Sequence, residues 1–290
     1  MLTRLRHPSL QDKATVMRRC FLALCLIGLS SHAVAADLDW PLRGPARTLP
    51  DAPHWGGLYV GGQFGYGAGQ MDFGNAFNSL DVFSSANTFT APLGRVSSWA
   101  TFGTNSPGAI NYGGFFGYNS TWEDAVLGVE INYNHFGLRG SATSSRCYSD
   151  TNPQCSSAAI VLGDDNSYDV TVNATAAARV TDYATFRGRA GWAYGSIMPY
   201  AMVGLAVGRV ETTRFASASG TPTGAGTAFV TTEGEENTRY VWGVSAGVGV
   251  DFMLMSNLFA RAEYEFVQLN SVLGKSIEFN TIRVGVGAKF

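Results

Sequence analysis

Charge is what this chain lacks most. Of its 290 residues only 14% are Asp, Glu, Lys or Arg, against roughly 25% in an ordinary globular domain. Disordered chains are charge-rich and aromatic-poor, so few charges beside 12% aromatic residues exclude that class. The formal net charge is −2 with no basic stripe, which excludes a nucleic-acid binder. Histidine and cysteine are scarce, four of each, and past residue 36 only His54, His135, Cys147 and Cys155 remain. These make neither a cluster with metal-ligand spacing nor a Ser-His-Asp arrangement, so no metal centre, cofactor or catalytic site is expected. Long apolar runs are missing too. Past residue 36 no 18 consecutive residues are apolar, so no membrane-spanning helix is expected.

What fills the gap is glycine, 35 residues of it, with Ser, Thr and Asn. A chain rich in Gly and aromatics points to β structure with close backbone approaches. Its Gly-rich runs, such as 243–249, lie inside alternating apolar segments with no helix following, so they are not phosphate loops.

Residues 17–36 read MRRCFLALCLIGLSSHAVAA. Arg18 and Arg19 precede ten apolar residues, and Ala33-Val34-Ala35 is a small-x-small site before Ala36. That is the pattern of a secretory signal peptide cleaved between Ala35 and Ala36. Ten apolar residues fall short of the ~20 a spanning helix needs. Residues 1–16 lack the character of a signal's charged start, which points to Met17 as the true start. The expected organisation is a signal peptide over 1–35, a Pro-rich periplasmic linker over 36–54 and a β-barrel domain over 55–290. The linker carries Pro41, Pro45, Pro50 and Pro53 and reads as extended chain. In an exported chain Cys147 and Cys155, set in the polar stretch SSRCYSDTNPQCSS, are expected to form a loop disulfide, with two free thiols as the alternative.

Eight segments then alternate with period two: 57–68, 110–119, 125–136, 182–194, 199–211, 239–254, 258–268 and 279–290. In the third, Leu127, Val129, Ile131 and Tyr133 oppose Glu130, Asn132 and Asn134. In the seventh, Ala260, Ala262, Tyr264 and Phe266 oppose Arg261, Glu263 and Glu265. The fifth is ambiguous, because Val203, Leu205 and Val207 share parity with Arg209. Residues 167–180 also have strand character, either extending the fourth segment or forming a hairpin above it. A charge on a barrel's lipid face costs ~2–4 kcal/mol at the midplane. The faces bearing Glu130, Arg187, Arg189, Asp251, Arg261, Glu263, Glu265 and Arg283 must therefore meet water or each other. A soluble sandwich would put them outside and a membrane barrel inside, and alternation alone does not choose.

Connection lengths favour the barrel. Between segments one and two lie about 40 residues, between three and four 30 to 45, between five and six 27, and between seven and eight ten. The intervening connections are three to five residues. Long external loops and short periplasmic turns alternate in this way in outer-membrane barrels. The expected fold is all-β, a transmembrane up-and-down antiparallel β-barrel of eight strands. Trp122, Tyr194, Tyr200, Trp242 and Phe290, at segment ends, suit its interfacial girdles. Side chains fill the interior of so narrow a barrel, so the eight charges are expected to form a salt-bridged plug. A narrow charge-lined pore is the alternative.

Three stretches resemble a known family. HWGGLYVGGQFGYGAG at 54–69 resembles the first strand of the small alphaproteobacterial outer-membrane barrels, often called the opacity-type or small porin family. RGRAGWAYGSIMPYAMVGLAVGRV at 187–210 resembles their central strand-turn-strand, and NTIRVGVGAKF at 280–290 their closing strand. The resemblance implies an eight-stranded barrel in the outer membrane, with terminal Phe290 read by the barrel-assembly machinery. It supplies no shared catalytic residues. Three functions follow as expectations: a structural envelope protein with a plugged lumen and displayed loops, a small-solute porin, or a recognition barrel acting through residues 70–108 and 138–166. Outer-membrane lipid and the assembly machinery are the implied partners. A homo-oligomer or a surface ligand is compatible with the sequence but not specified by it.

Overall fold

The computed structural model describes residues 54–77, 90–93, 100–155, 158–273 and 275–290. The expected signal peptide, its Ala35–Ala36 junction and linker residues 36–53 lie outside them. The described residues hold eight long strands: β1 (Gly57–Asp72), β3 (Gly108–Trp122), β4 (Ala125–Tyr148), β6 (Ser167–Trp192), β7 (Ile197–Pro222), β8 (Phe229–Met255), β9 (Leu258–Val272) and β10 (Lys275–Lys289). Two more, β2 (Thr104–Asn105) and β5 (Ile160–Val161), are two residues each. Each long strand pairs antiparallel with the next in the chain, and β10 returns to β1 from Tyr59↔Lys289 to Met71↔Ile277. The eight long strands thus pair in a closed cycle. The two short strands attach outside it, β2 to β1 and β5 to β6.

One end of the ring carries tight connections at 123–124, 193–196 and 256–257. Glu123 and Gly195 take the left-handed conformation there, with φ of 53° and 57°. The other end carries connections 73–107, 149–166, 223–228 and 273–274. Two of the long loops expected from sequence are therefore short. The connection read as 27 residues is six, because β7 runs on to Pro222 and β8 begins at Phe229. The one read as ten is two. Residues 138–148, read as loop, are strand in β4, and residues 167–180 extend the fourth segment in β6, one of the two alternatives their strand character left.

The reason lies in a change of polarity along the tall strands. β4, β6, β7 and β8 have 24 to 27 residues, whereas β1, β3, β9 and β10 have 15 or 16. Fifteen residues span ~50 Å of strand, or ~35 Å of height at a 45° tilt, enough for an apolar band ~25 Å tall. At that level the outward residues are large and apolar: Val129 and Ile131 on β4, Phe186 on β6, Leu205 on β7, Val284 on β10. About ten residues further on, the pattern inverts. On β6 Val170, Val172, Ala174, Ala176 and Ala178 are buried inside, while Thr171 and Asn173 are exposed outside. On β7 Ala216 and Ala218 are buried while Thr213 and Ser219 are exposed. Small apolar and hydroxyl residues still alternate, so the ladder continues. They lack the bulky outward residues by which a lipid-facing strand is read from sequence.

The inversion sits at irregularities in register, between His135 and Leu138 on β4 and between Val180 and Asp182 on β6. Thr181 is the extra residue on β6. It flips the parity, so that even-numbered residues point inward above it and odd-numbered ones below it.

Candidate functional site: a filled lumen beneath a tall sheet

The ring interior is layered, and the order of residues along each strand sets the layers. Nearest the tight turns lie Trp55, Tyr59, Phe115, Met198, Tyr200 and Phe259, with Val126 and Met202. Next come the eight charges singled out from sequence, every one of them buried, none more than 5% exposed. Four arginines meet four carboxylates. Glu130 receives hydrogen bonds from Arg187 Nε (3.0 Å), Arg261 Nη1 (2.7 Å), Arg189 Nη1 (3.2 Å) and the Tyr59 hydroxyl (2.8 Å). Asp251 accepts two bonds from Arg261, at 2.8 and 3.0 Å, and one from Arg189 at 2.6 Å. Glu263 accepts from Arg283 (2.7 Å), Arg187 (2.9 Å) and the Tyr200 hydroxyl (3.2 Å). Glu265 pairs with Arg187 at 3.2 Å and Arg283 at 2.6 Å. Arg189 lies over the Tyr200 ring at 3.8 Å and Arg261 over Phe115 at 4.1 Å.

Register explains how so many long side chains fit. Glu130 stands opposite Arg187 across β4 and β6, and Arg283 opposite Glu263 across β9 and β10. On its other flank Arg187 faces Gly204, and Arg283 faces Gly65. A Cβ at Gly204 would meet Arg187 Cα at 2.6 Å. One at Gly65 would meet Arg283 Cγ at 2.8 Å. Glycine is what leaves these two arginines their space.

Above the charges Gln63 Nε2 donates to Asn132 Oδ1 at 2.9 Å and to Asn134 Oδ1 at 2.7 Å. Phe136, Tyr183 and Phe279 then close the polar interior, with ring centroids 5.1 to 5.9 Å apart. Asn132 and Asn134 lie on the Glu130 face as parity placed them, whereas Gln63 and the interior tyrosines were missed. Tyr200 was expected in a girdle and is buried in the lumen, because Tyr suits either face and strand parity alone separates them. Trp122, Tyr194, Trp242 and Phe290 are exposed, and the Phe290 N–H donates to Leu58 O at 2.8 Å. The ambiguous fifth segment resolves as Val203 and Leu205 outside, with Met202, Ala206 and Val210 inside.

The tall strands carry a second, apolar core above this layer. Residues of the β1–β3 connection enter it: Phe73, Ala76, Phe77, Leu93 and Phe102 are buried with Val172, Ala174 and Ala218. Phe77 stacks on Phe102 at 5.3 Å, and Arg214 Nη1 donates to Ala76 O at 3.1 Å while pairing with Glu235. The described part of the 70–108 stretch is therefore a cap seated on the sheet.

At the tip Cys147 and Cys155 are bonded, with Cα atoms 5.1 Å apart. Thr151 Oγ1 donates to Asp169 Oδ2 at 3.3 Å, tying this loop to β6. A pocket of about 380 Å³ lies there, lined by Cys147, Thr151, Asp169, Ser219, Thr221 and Val230 among others. In the next turn the Asn166 amide and the Tyr168 hydroxyl donate to Asp164 and hold its carboxyl below the usual range.

A closed strand cycle, apolar outside and charged inside, with a polar collar above the apolar band, defines an integral β-barrel protein of the bacterial outer membrane. The chain belongs to the outer membrane protein beta-barrel domain family, whose model matches residues 21–290. It is similar to the 25 kDa outer-membrane immunogenic protein of Brucella ovis, 22% identical over 279 residues, covering 95% of this chain and 99% of that protein. Among solved structures it is similar to Ail, the attachment invasion locus protein of Yersinia pestis, at 13% identity and TM-score 0.33, covering 81% of this chain and 99% of that one. It is also similar to Neisserial surface protein A, at 14% identity and TM-score 0.33, covering 80% and 97%.

Proposed function

We propose that the chain is a non-conducting recognition barrel. Eight strands cross the outer membrane, the tight turns face the periplasm, and the four tall strands lift a capped sheet clear of the outer leaflet. The observation that carries this reading is the inversion of polarity in β6 and β7, joined on β4 by Leu138 and Ala142, which pack into the same upper core. A strand that only spans lipid has no use for ten further residues with an apolar inner and a polar outer face. The disulfide-closed loop and the pocket at the tip add a shaped surface where a ligand would meet the protein. The filled lumen counts against a porin. In this reading the chain is exported by cleavage after Ala35, Phe290 serves assembly, and the chain belongs among the small alphaproteobacterial barrels, which the similarity to the Brucella ovis protein supports. No catalytic step is assigned.

The test is to trim the tall strands to the height of their neighbours and compare cells displaying the trimmed and intact proteins for adhesion to host-cell and matrix surfaces. The intact protein is expected to adhere and the trimmed one to lose adhesion while keeping heat-modifiable gel mobility. Equal adhesion by both would sink the recognition reading.

A further inference from the structure

Where the outward face turns from apolar to polar, three arginines converge. Arg139 on β4 and Arg179 on β6 stand directly opposite each other in register. Both are exposed, and Arg179 Nη2 lies 3.9 Å from where a Cβ on Gly137 would be. Like charges opposed across a strand pair destabilise it, so this pair needs an anion nearby.

The protein's own anions are fewer than the arginines they face. Glu211 lies 4.0 Å from Arg179 and 3.5 Å from Arg209, so one carboxylate serves two arginines. Asp182 is held by His135 Nδ1 at 2.9 Å and by the Tyr133 hydroxyl at 2.8 Å. Arg139 has no ion pair among the described residues. Three guanidiniums thus share two carboxylates, Glu211 opposite Arg179 and Asp182 opposite Arg209 in register, and Arg139 is left over.

The height of the cluster identifies its counter-ion. Tyr112, Tyr133 and Tyr240 are exposed beside or just below it, and below them lie Ile131, Phe186 and Leu205. Above it the outward residues are Ser141, Thr175 and Thr213. Tyrosine marks the headgroup level of a bilayer, and at that level the abundant anions are lipid phosphates. Guanidinium matches phosphate in charge and in its forked geometry. Arg139 lies beyond the end of the β3–β4 pairing at Asn111↔Phe136, and its side chain is exposed.

We propose that Arg139, Arg179 and Arg209 form a site for the phosphate of an outer-leaflet glycolipid, seated on the outward face of β4, β6 and β7. The site fixes the depth at which the barrel stops and the tall sheet begins. Its orientation rests on the reading above, but its lipid binding does not require that the tall sheet recognise anything.

The test uses full-length protein folded into phosphatidylcholine vesicles that contain diphosphoryl lipid A, the same lipid stripped of phosphate, or neither. Lipid retained after detergent extraction is counted by native mass spectrometry. The wild type is expected to retain the diphosphoryl form and not the stripped one. The R139Q/R179Q variant is expected to lose retention on the order of tenfold, with unchanged heat-modifiable mobility. R239Q, which removes an exposed arginine outside the cluster, is expected to retain lipid as the wild type does. Should the double variant fail to fold, R209Q alone takes its place, with reduced retention expected. Equal retention of the stripped lipid, undiminished retention by the cluster variants, or an equal loss in R239Q would overturn the site. Displacement by millimolar inorganic phosphate would mark a free-anion site and overturn the lipid assignment.

Discussion

At the scale of single residues, parity identified the strand faces that carry the lumen charges and left only the fifth segment ambiguous. All eight charges expected in the lumen lie there, in contact with one another. What parity could not identify was the company they keep. Tyr59, Tyr183 and Tyr200 donate to carboxylates or accept from arginine, yet tyrosine also serves as an outward girdle residue. Glu130 is the most connected group, with three arginines and a tyrosine on its two oxygens. Neutralising it leaves three buried guanidiniums sharing the remaining acids. Breaking a buried ion pair costs ~3–5 kcal/mol, so Glu130→Gln is expected to lower the stability of the vesicle-folded barrel by about that amount in urea titrations. Tyr59→Phe removes one hydrogen bond and is expected to lose about 1 kcal/mol. Equal effects of the two would show that the charge is not what matters.

Glycine offers a sharper contrast at the same scale. Gly204 and Gly62 both lie within strands, Gly62 on the outward parity of Val60 and Phe64 and Gly204 on the inward parity of Met202 and Ala206. A Cβ at Gly204 would collide with the Arg187 backbone, whereas one at Gly62 would find only Gly113 O at 3.9 Å. Gly204→Val is therefore expected to abolish the heat-modifiable band, and Gly62→Val to leave it intact. A folded Gly204→Val protein would mean that the arginine layer can rearrange.

At the scale of elements, the sequence made the lipid-crossing parts of all eight strands legible and hid their extensions. Crossing segments advertise themselves because lipid demands bulky apolar residues at alternate positions, as with Val129, Ile131 and Tyr133. Above the bilayer the demand reverses. An inner face of Ala174, Ala176 and Ala178 against an outer face of Thr171, Asn173 and Thr175 has strand character but no bulky residue to say whether it extends the fourth segment or folds back as a hairpin. The same inversion makes a prediction about one strand. Phe186 and Thr175 both point outward on β6, eleven residues apart. Phe186→Arg is expected to cost ~2–4 kcal/mol, since it places a cation against hydrocarbon. Thr175→Arg, in water on this account, is expected to stay within about 0.5 kcal/mol of the wild type. Urea unfolding in vesicles measures both, and similar losses would place Thr175 in the membrane.

At the scale of the whole molecule, the scarcity of charge divides the chain into three environments. Lipid excludes charge from the outer face, the narrow lumen admits it only in neutralised sets, and the upper core admits only the Arg214–Glu235 pair at its edge. Whether the protein conducts depends on the middle environment. Four arginines balance four carboxylates there, and none of the eight is more than 5% exposed. An ion entering the ring would have to displace partnered charges at 2.6 to 3.2 Å from one another without gaining a hydration path. Above that layer it would meet the Phe136, Tyr183 and Phe279 rings and the capped apolar core. Purified wild-type protein in planar bilayers is therefore expected to give no reproducible single-channel steps. Arg187→Ala with Glu130→Ala and Glu263→Ala removes the centre of the charge layer but leaves the ring cap in place. Adding Phe136→Ala and Phe279→Ala opens that cap as well. Conductance is expected only when both layers are thinned, because each closes the lumen by itself. Steps from the wild-type protein would show that the packed interior opens on its own, and would return the porin reading to first place.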